Sequence, residues 1–372
     1  MNKNRIVLAV TNDLVTDQRL HRIAETLFNF GADVLLVGRV LPESITVNNR
    51  KYKIKRFKLL FIKGPLFYIT FNIRLFFYLL FIKVNVIVSN DLDTLPACFF
   101  AALIRFKKLV FDSHELFTEV PELQNRKFIR SLWLTIEKLL VPKLKYAYTV
   151  CDSIAEFYKK KYGTSFITIR NLPYKKLVTP DLKKSDDSYD VKIILYQGSV
   201  NLGRGIEKII KSLVYLENVV FIIAGRGDIE NDLKTLIKET GVEEKVKFTG
   251  VIPYEHLHEL TIKAHLGISL EENMGLNYYY ALPNKLFDYI QARLPVLVSS
   301  FPEMEMIVRS YSIGETTSET DPIKLSVILN SMLNDNNKRE KWLKNLEKAA
   351  EELVWEKERE ILKDFYLNNN LL

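Results

Sequence analysis

The sequence predicts an α/β protein made of two doubly wound, parallel-sheet domains of similar size. Three observations predict it. Short apolar runs of about five or six residues recur along the chain, as strands buried on both faces do. The segments between them carry helical periodicity. The rhythm is interrupted at Thr179–Asp190 (TPDLKKSDDSYD), a charged stretch without apolar periodicity that reads as a linker. The length of 372 residues agrees, at about 150 residues per domain.

In the first half, Ile6–Val10 is the first strand. Lys3 and Arg5 precede it, but the run stops after five residues at Thr11-Asn12-Asp13, too short for a secretory leader, so the chain is expected to stay in the cytoplasm. Leu20, Ile23, Ala24, Leu27 and Phe28 follow at helical spacing, with Asp17 as N-cap and Gly31 just past the end. Asp33–Gly38 is the second strand, and strand–helix–strand implies a parallel pair. Further strands fall at Val84–Ser89, Lys108–Asp112 and Ala147–Cys151.

The second half repeats the scheme. Strands are expected at Lys192–Gln197, Val219–Ala224, Lys245–Thr249, Leu266–Leu270 and Pro295–Ser299. Helices fill Gly205–Leu216, Ile229–Thr240, Tyr254–Ala264 and Lys285–Ala292. A last helix near Glu351–Tyr366 lies beyond the second sheet and is expected to return to the first domain. The expected division is 1–178, 191–350 and 351–372.

Composition narrows the chemistry. Hydrophobic residues make up 48% and charged residues 26%, which excludes global disorder. Two cysteines, Cys98 and Cys151, cannot make a disulfide framework or a four-ligand zinc site. The five histidines lack metal-ligand spacing, so no metal is assigned. There is no G-x-S-x-G elbow. The aromatic content, 22 Phe and 18 Tyr, with a net charge of +8, points to a surface that meets something apolar and anionic.

Pro65–Ile82 (PLFYITFNIRLFFYLLFI) is where that surface is sought. It is 18 residues long between Lys63 and Lys83, near the lower limit for a membrane span. Arg74 in its middle costs roughly 2.5–3.5 kcal/mol at a bilayer centre, and the sheet pattern that resumes at VNVIVSND requires the chain to stay on one side. Two readings stand: a helix over the first sheet buried on most sides, or one with an aromatic, lysine-flanked face on anionic lipid. Arg126–Lys145 (RKFIRSLWLTIEKLLVPKLK) is a second basic segment around Trp133, either a solvated helix face or part of the same surface.

Four segments carry candidate chemistry. Gln197–Gly205 (QGSVNLGRG) follows a strand and opens a helix. Gly198 lets a ligand approach the backbone, and Arg204 offers a fork of donors suited to phosphate. A second glycine turn, Ala224–Asp228 with Gly227, follows the next strand. In Leu282–Tyr289, Asn284 reads as an N-cap, Lys285 sits where an anion binds, and Asp288 either accepts from ribose hydroxyls or adds favourable charge to the first helical turn. In Phe111–Glu115 (FDSHE), His114 either donates to a sugar hydroxyl or a leaving oxygen, or is a structural hydrogen-bonder. Asp91 and Asp93 end the preceding strand and face the same edge or cap the next helix.

Taken together, YQGSVNLGRGIEKII, FIIAGRGD, VKFTGVIPYEHL and LPNKLFDYIQARLPVLVSS, with TNDLVTDQRLHRIAETL, NDLDTLPA, DSHELFTEVPEL and IRNLP, resemble the retaining GT-B glycosyltransferases of family 4 over nearly the whole chain. The resemblance implies two Rossmann-like domains facing across a cleft, a UDP- or GDP-sugar donor on the second, and an acceptor on the first. It implies no cofactor beyond that donor. Arg204 resembles the basic residue that contacts the diphosphate. Gly227, Val251 and Ile252 resemble the base region, Asp288 the second carboxylate of an E-x₇-E pair, and His114 the histidine beside the donor sugar. Tyr280 stands where the first glutamate of that pair is expected, and Ser199 where a basic residue often stands. Glu271 or Glu272 can supply the missing carboxylate, and Arg226 and Lys285 the missing positive charge. The expectation is a cytoplasmic enzyme at the inner face of the cell membrane, acting on a lipid-linked or polysaccharide acceptor and meeting anionic lipid rather than nucleic acid. A nucleotide-sugar 2-epimerase and a weakly catalytic partner subunit are the competing readings.

Overall fold

The computed structural model describes residues 4–15, 17–47, 50–124, 126–176 and 191–372, the side chains of Tyr254 and Glu255 excepted. The linker read at Thr179–Asp190 lies outside them. The chain divides into two compact units, Met1–Asn171 with Glu358–Leu372, and Leu172–Lys357. The second unit thus begins before residue 178, and the return to the first comes at Glu358 rather than at 351.

The first unit is a seven-stranded parallel sheet. Its strands are β1 (Arg5–Ala9), β2 (Asp33–Arg39), β3 (Lys53–Phe57), β4 (Val86–Asn90), β5 (Lys108–Ser113), β6 (Tyr146–Thr149) and β7 (Ile167–Thr168), in the order β3-β2-β1-β4-β5-β6-β7. Ile6 of β1 pairs with Val34 on one side and Val86 on the other, so chain order reverses between β1 and β4. In doubly wound sheets that switch point is where ligands bind. The second unit repeats the plan with β8 (Lys192–Gln197), β9 (Val219–Ala224), β10 (Val246–Gly250), β11 (Leu266–Ser269), β12 (Val296–Ser299) and β13 (Gly314–Thr317), in the order β10-β9-β8-β11-β12-β13. Its switch point lies between β8 and β11.

Local sequence explains the elements. The Gln18–Asn29 helix starts where Asp17 accepts the Leu20 N–H at 2.9 Å, as expected of an N-cap. It buries Leu20, Ile23, Ala24 and Leu27. Strands β3, β7 and β13 were not expected. All three are edge strands, short or polar (KIKRF, IT, GETT), without the apolar run that marks a strand covered on both faces.

The C-terminal helix, Trp355–Asn368, packs on the first unit. Phe365 meets the Tyr148 ring edge-on at 5.5 Å, and Lys108 Nζ donates to the Asn369 and Asn370 carbonyls at 2.9 and 2.8 Å.

Pro65–Ile82 forms the Gly64–Phe81 helix, and the reading of a helix buried on most sides is corrected. Phe67, Phe71, Leu75 and Leu79, a single stripe at four-residue spacing, enter the core against Val7, Val37 and Ile87. Leu66, Ile69, Ile73, Phe77 and Phe81 are exposed. One stripe suffices to hold the helix, at about 1.5–3 kcal/mol per fully buried Phe or Leu.

Candidate active site

In the second unit, β8 ends at Gln197 and the chain turns through Gly198 with φ +131°, a conformation side chains disfavour. The two glycine turns pack on each other. A Cβ on Gly225 would stand 1.8 Å from the Gly198 carbonyl oxygen, and one on Gly227 would stand 2.2 Å from the Val200 oxygen. Glycine at these positions is therefore a packing requirement as much as a ligand device.

A pocket of about 220 Å³ opens there, lined by Gly198, Ser199, Arg204, Asn284, Lys285 and Asp288, with Tyr196, Gln197 and Leu257 as further walls. Five of the sequence-predicted residues are thus brought together. Gly227, Val251 and Ile252 are not in the lining, although Val251 is exposed at the end of the neighbouring strand β10. Asn284 is corrected in role. It is the first residue of the Asn284–Gln291 helix, behind Pro283, and not its N-cap.

Lys285 reaches back from that helix to Gly198. A Cβ on Gly198 would stand 3.6 Å from Lys285 Cε and 4.0 Å from Nζ. The ammonium lies 4.1 Å from the centre of the Tyr196 ring and 3.0 Å from Glu271 Oε1. Arg204 Nη1 lies 3.8 Å from the same oxygen, and its guanidinium sits 4.7 Å over the Tyr278 ring. Lys285 therefore brings a cation beside Gly198 and Ser199, one of the two residues the sequence offered for the missing positive charge. Arg226, the other candidate, lies by Gly250 and outside the lining.

Glu271 is buried and fully engaged. Ser269 donates to its Oε2 at 2.8 Å, and Ser299 to its carbonyl at 2.6 Å. Burial alone raises its pKa, but the charge of Lys285, with hydrogen bonds from Lys285 and Ser269, holds it below the usual carboxylate range. It is the counter-ion of Lys285 and lies outside the pocket lining. Glu272 pairs with Lys208 at 3.1 Å, and Tyr280 packs on Tyr279. Asp288 accepts from Gln197 Nε2 at 3.2 Å, and Thr261 holds the other end of that amide at 2.9 Å. Tyr196, Gln197 and Leu257 were missed because walls of this kind carry no local signal beyond lying at a strand end or on a helix face.

In the first unit, a second cluster sits at the C-terminal ends of β4 and β5, beside the switch point. His114 Nε2 lies 3.1 Å from Asp112 Oδ2, and Nδ1 lies 3.4 Å from Asp91 Oδ2. Asp91, at φ +61°, also accepts the His114 backbone N–H at 2.7 Å. Arg19 pairs with Asp112 at 2.8 Å and donates to the Ile169 carbonyl at 2.8 Å. Burial alone lowers the His114 pKa, but the charges of Asp91 and Asp112 outweigh it and push it up to about 9. Arg19, then His114, hold Asp112 low against its own burial. Both imidazole nitrogens face carboxylates, which agrees with the reading of His114 as a structural hydrogen-bonder.

Neither Asp91 nor Asp93 caps the following Leu95–Ile104 helix. Asn72 does so from the Gly64–Phe81 helix, accepting the Ala97 N–H at 3.2 Å. Asp93 accepts from Thr11 at 2.5 Å through Oδ2, and its buried Oδ1 has no hydrogen-bond partner in the structure. Burial pushes both carboxyls up to about 7. Among the described residues no group of three His, Cys, Asp or Glu is placed to hold a metal ion.

Comparison with known proteins places this geometry. Residues 179–349, just under half of the chain, match the family model of glycosyl transferases group 1. An uncharacterized glycosyltransferase of Methanocaldococcus jannaschii is 27% identical over 173 residues, 45% of this chain and 42% of the relative, so the match spans less than half of that protein. Sucrose-phosphate synthase from Thermosynechococcus elongatus superposes with a TM-score of 0.83 at 17% identity, covering 99% of this chain and 100% of that one. Anabaena HepE in complex with UDP and glucose gives 0.74 at 13% identity, covering 98% and 100%. WaaG, a glycosyltransferase involved in lipopolysaccharide biosynthesis, gives 0.65 at 16% identity, covering 96% and 99%. At these identities the structures establish the fold, which is GT-B: two Rossmann-like units, each with a parallel sheet. The family model and the curated relative support a group 1 glycosyltransferase.

Proposed function

We propose that this protein is a glycosyltransferase that moves a hexose or related sugar from a nucleotide diphosphate sugar, UDP- or GDP-linked, to a lipid-linked or polysaccharide acceptor, with retention of configuration. The observation that carries the donor half is the convergence of Arg204 and Lys285 on the Gly198 turn. Transfer of this kind rests on positioning and on stabilising the departing diphosphate. Arg204 contributes a planar fork, Lys285 a point charge, and the first turn of the Asn284–Gln291 helix its amides. Asp288, steadied by Gln197, is suited to accept from ribose hydroxyls. The UDP and glucose in the HepE complex agree with this class of donor.

Retention follows from the family 4 resemblance, as does the acceptor class. The proposed setting is the cytoplasmic face of the cell membrane, where a lipid-linked acceptor resides, and the proposed pathway is polysaccharide synthesis. The test is release of nucleoside diphosphate from UDP-, GDP- and dTDP-sugars, with and without a total membrane-lipid extract. Extract-dependent release from one donor is the expected result. Conversion of the donor without acceptor would make the protein a 2-epimerase. Nucleotide binding with no release under any acceptor would make it a binding subunit.

A further inference from the structure

The Gly64–Phe81 helix does not present its apolar face alone. The Leu95–Ile104 helix packs against both it and the Lys127–Leu140 helix. Each presents an apolar stripe to the outside. On the first helix the stripe is Leu66, Ile69, Ile73, Phe77 and Phe81; on the second Phe100, Leu103 and Ile104; on the third Phe128, Leu132 and Leu139. At the helix ends the exposure is nearly complete, with Leu60 at 95%, Phe81 at 84%, Phe106 at 94% and Phe128 at 84%. Exposed apolar stripes on three helices packed side by side mark an interaction site.

Charge identifies the partner. The segments Lys58–Lys83, Leu95–Lys107 and Arg126–Lys145 hold twelve Lys and Arg and one acidic residue, Glu137. Glu137 is buried and bonded to Thr118, Lys161 and Tyr162. These segments therefore carry +11 in a chain of +8, and everything outside them nets −3. Lys58, Lys63, Lys83, Lys127, Lys138 and Lys143 are exposed around the stripes. Apolar residues ringed by lysine suit a bilayer with anionic headgroups, with rings and branched chains at the acyl boundary and ammonium groups at the phosphates.

The polar groups within the first helix decide the depth. Asn72 donates to the Asp93 carbonyl at 2.7 Å as well as capping the neighbouring helix. Arg74 lies 4.9 Å from the centre of the Phe57 ring, and Arg105 bonds the Leu79 and Ile82 carbonyls at the helix end. The opposite stripe is in the protein core. A spanning helix would have lipid or another membrane-embedded element on every side. We propose that these three helices form one platform that lies in a single leaflet of an anionic membrane, with the Phe77/Phe81, Phe106 and Phe128 ends inserted and the lysines at the headgroups. The proposal rests on the membrane setting given above and not on the donor.

Flotation of the full chain with vesicles tests it. With phosphatidylglycerol and phosphatidylcholine in equal parts, the wild type floats, and with phosphatidylcholine alone its association falls about tenfold or more. The combined variant Phe77→Ser, Phe81→Ser, Phe106→Ser, all at exposed positions, loses about tenfold or more on the anionic vesicles. Raised salt weakens wild-type flotation without abolishing it. Two outcomes overturn the proposal: no flotation of the wild type, with or without self-association in ultracentrifugation, or flotation of the triple variant equal to wild type. A UDP-binding titration of the same variant, expected unchanged, shows that it is folded and keeps the donor reading separate.

Discussion

The two units place cations at the same point of the same architecture and use them differently. At the β8/β11 switch point, Arg204 and Lys285 line a pocket and share one buried carboxylate, Glu271. Beside the β1/β4 switch point, Arg19 and His114 are bound up with Asp91 and Asp112, each charge answered within the unit. Doubly wound sheets bring strand ends together in both places. What separates the two places is access. Arg204 and Lys285 line an open pocket while sharing Glu271, whereas Arg19 and His114 are held against Asp91 and Asp112.

Breaking the closed cluster should cost the most. Asp112→Ala strands Arg19 and His114 in the interior, and loss of one partner of a buried ion pair costs about 3–5 kcal/mol. Urea unfolding should show it, and an unchanged midpoint would mean that the cluster is not structural. In the pocket the balance reverses. Arg204→Ala should lower turnover by about 10²- to 10³-fold with little change in unfolding, and full activity would remove the phosphate assignment.

A pH series separates the two sites further. His114 is raised to about 9 from an ordinary 6.5, so its contribution is complete below about 6.5 and is lost as pH rises through 9. Asp91 and Asp93, raised to about 7 from 3.8, lose stability in the same direction between those values. Stability should therefore fall from pH 6 to pH 9.5. In the double variant Asp91→Asn, His114→Asn, which removes both members of the coupled pair, the part above pH 7 should flatten, and a wild-type slope there would refute the assignment. The smallest effect belongs to Asp288→Ala, which should raise the donor KM by about tenfold and leave kcat within a few-fold, as loss of a hydrogen bond to a hydroxyl would. A collapse of kcat instead would place Asp288 at the reacting centre.

Much of this was legible before any coordinates. Apolar runs such as Val219–Ala224 marked their strands to the residue. The Asp17 cap and the glycine turns were readable because they are local. Strand β3, KIKRF, was not, because an edge strand needs no continuous apolar run. Asn284 was misplaced by one position, since Pro283 can precede a helix without a side-chain cap. Glu271 and Tyr280 could not be ranked from spacing, because the β11 loop inserts the short Leu276–Tyr279 helix between the two.

The sequence by itself determined the parallel βα rhythm, the positive-φ turns, and the net charge with its crowding into three segments, because periodicity, glycine freedom and charge are properties of neighbouring residues. Only the tertiary structure decided that Lys285 lies by Gly198, that Glu271 is its counter-ion, that His114 is closed between Asp91 and Asp112, and that the Gly64–Phe81 helix buries a single stripe. Each of these is a meeting of side chains across many residues of sequence. Strand order and helix rotation set such meetings, and they follow from how the whole chain packs.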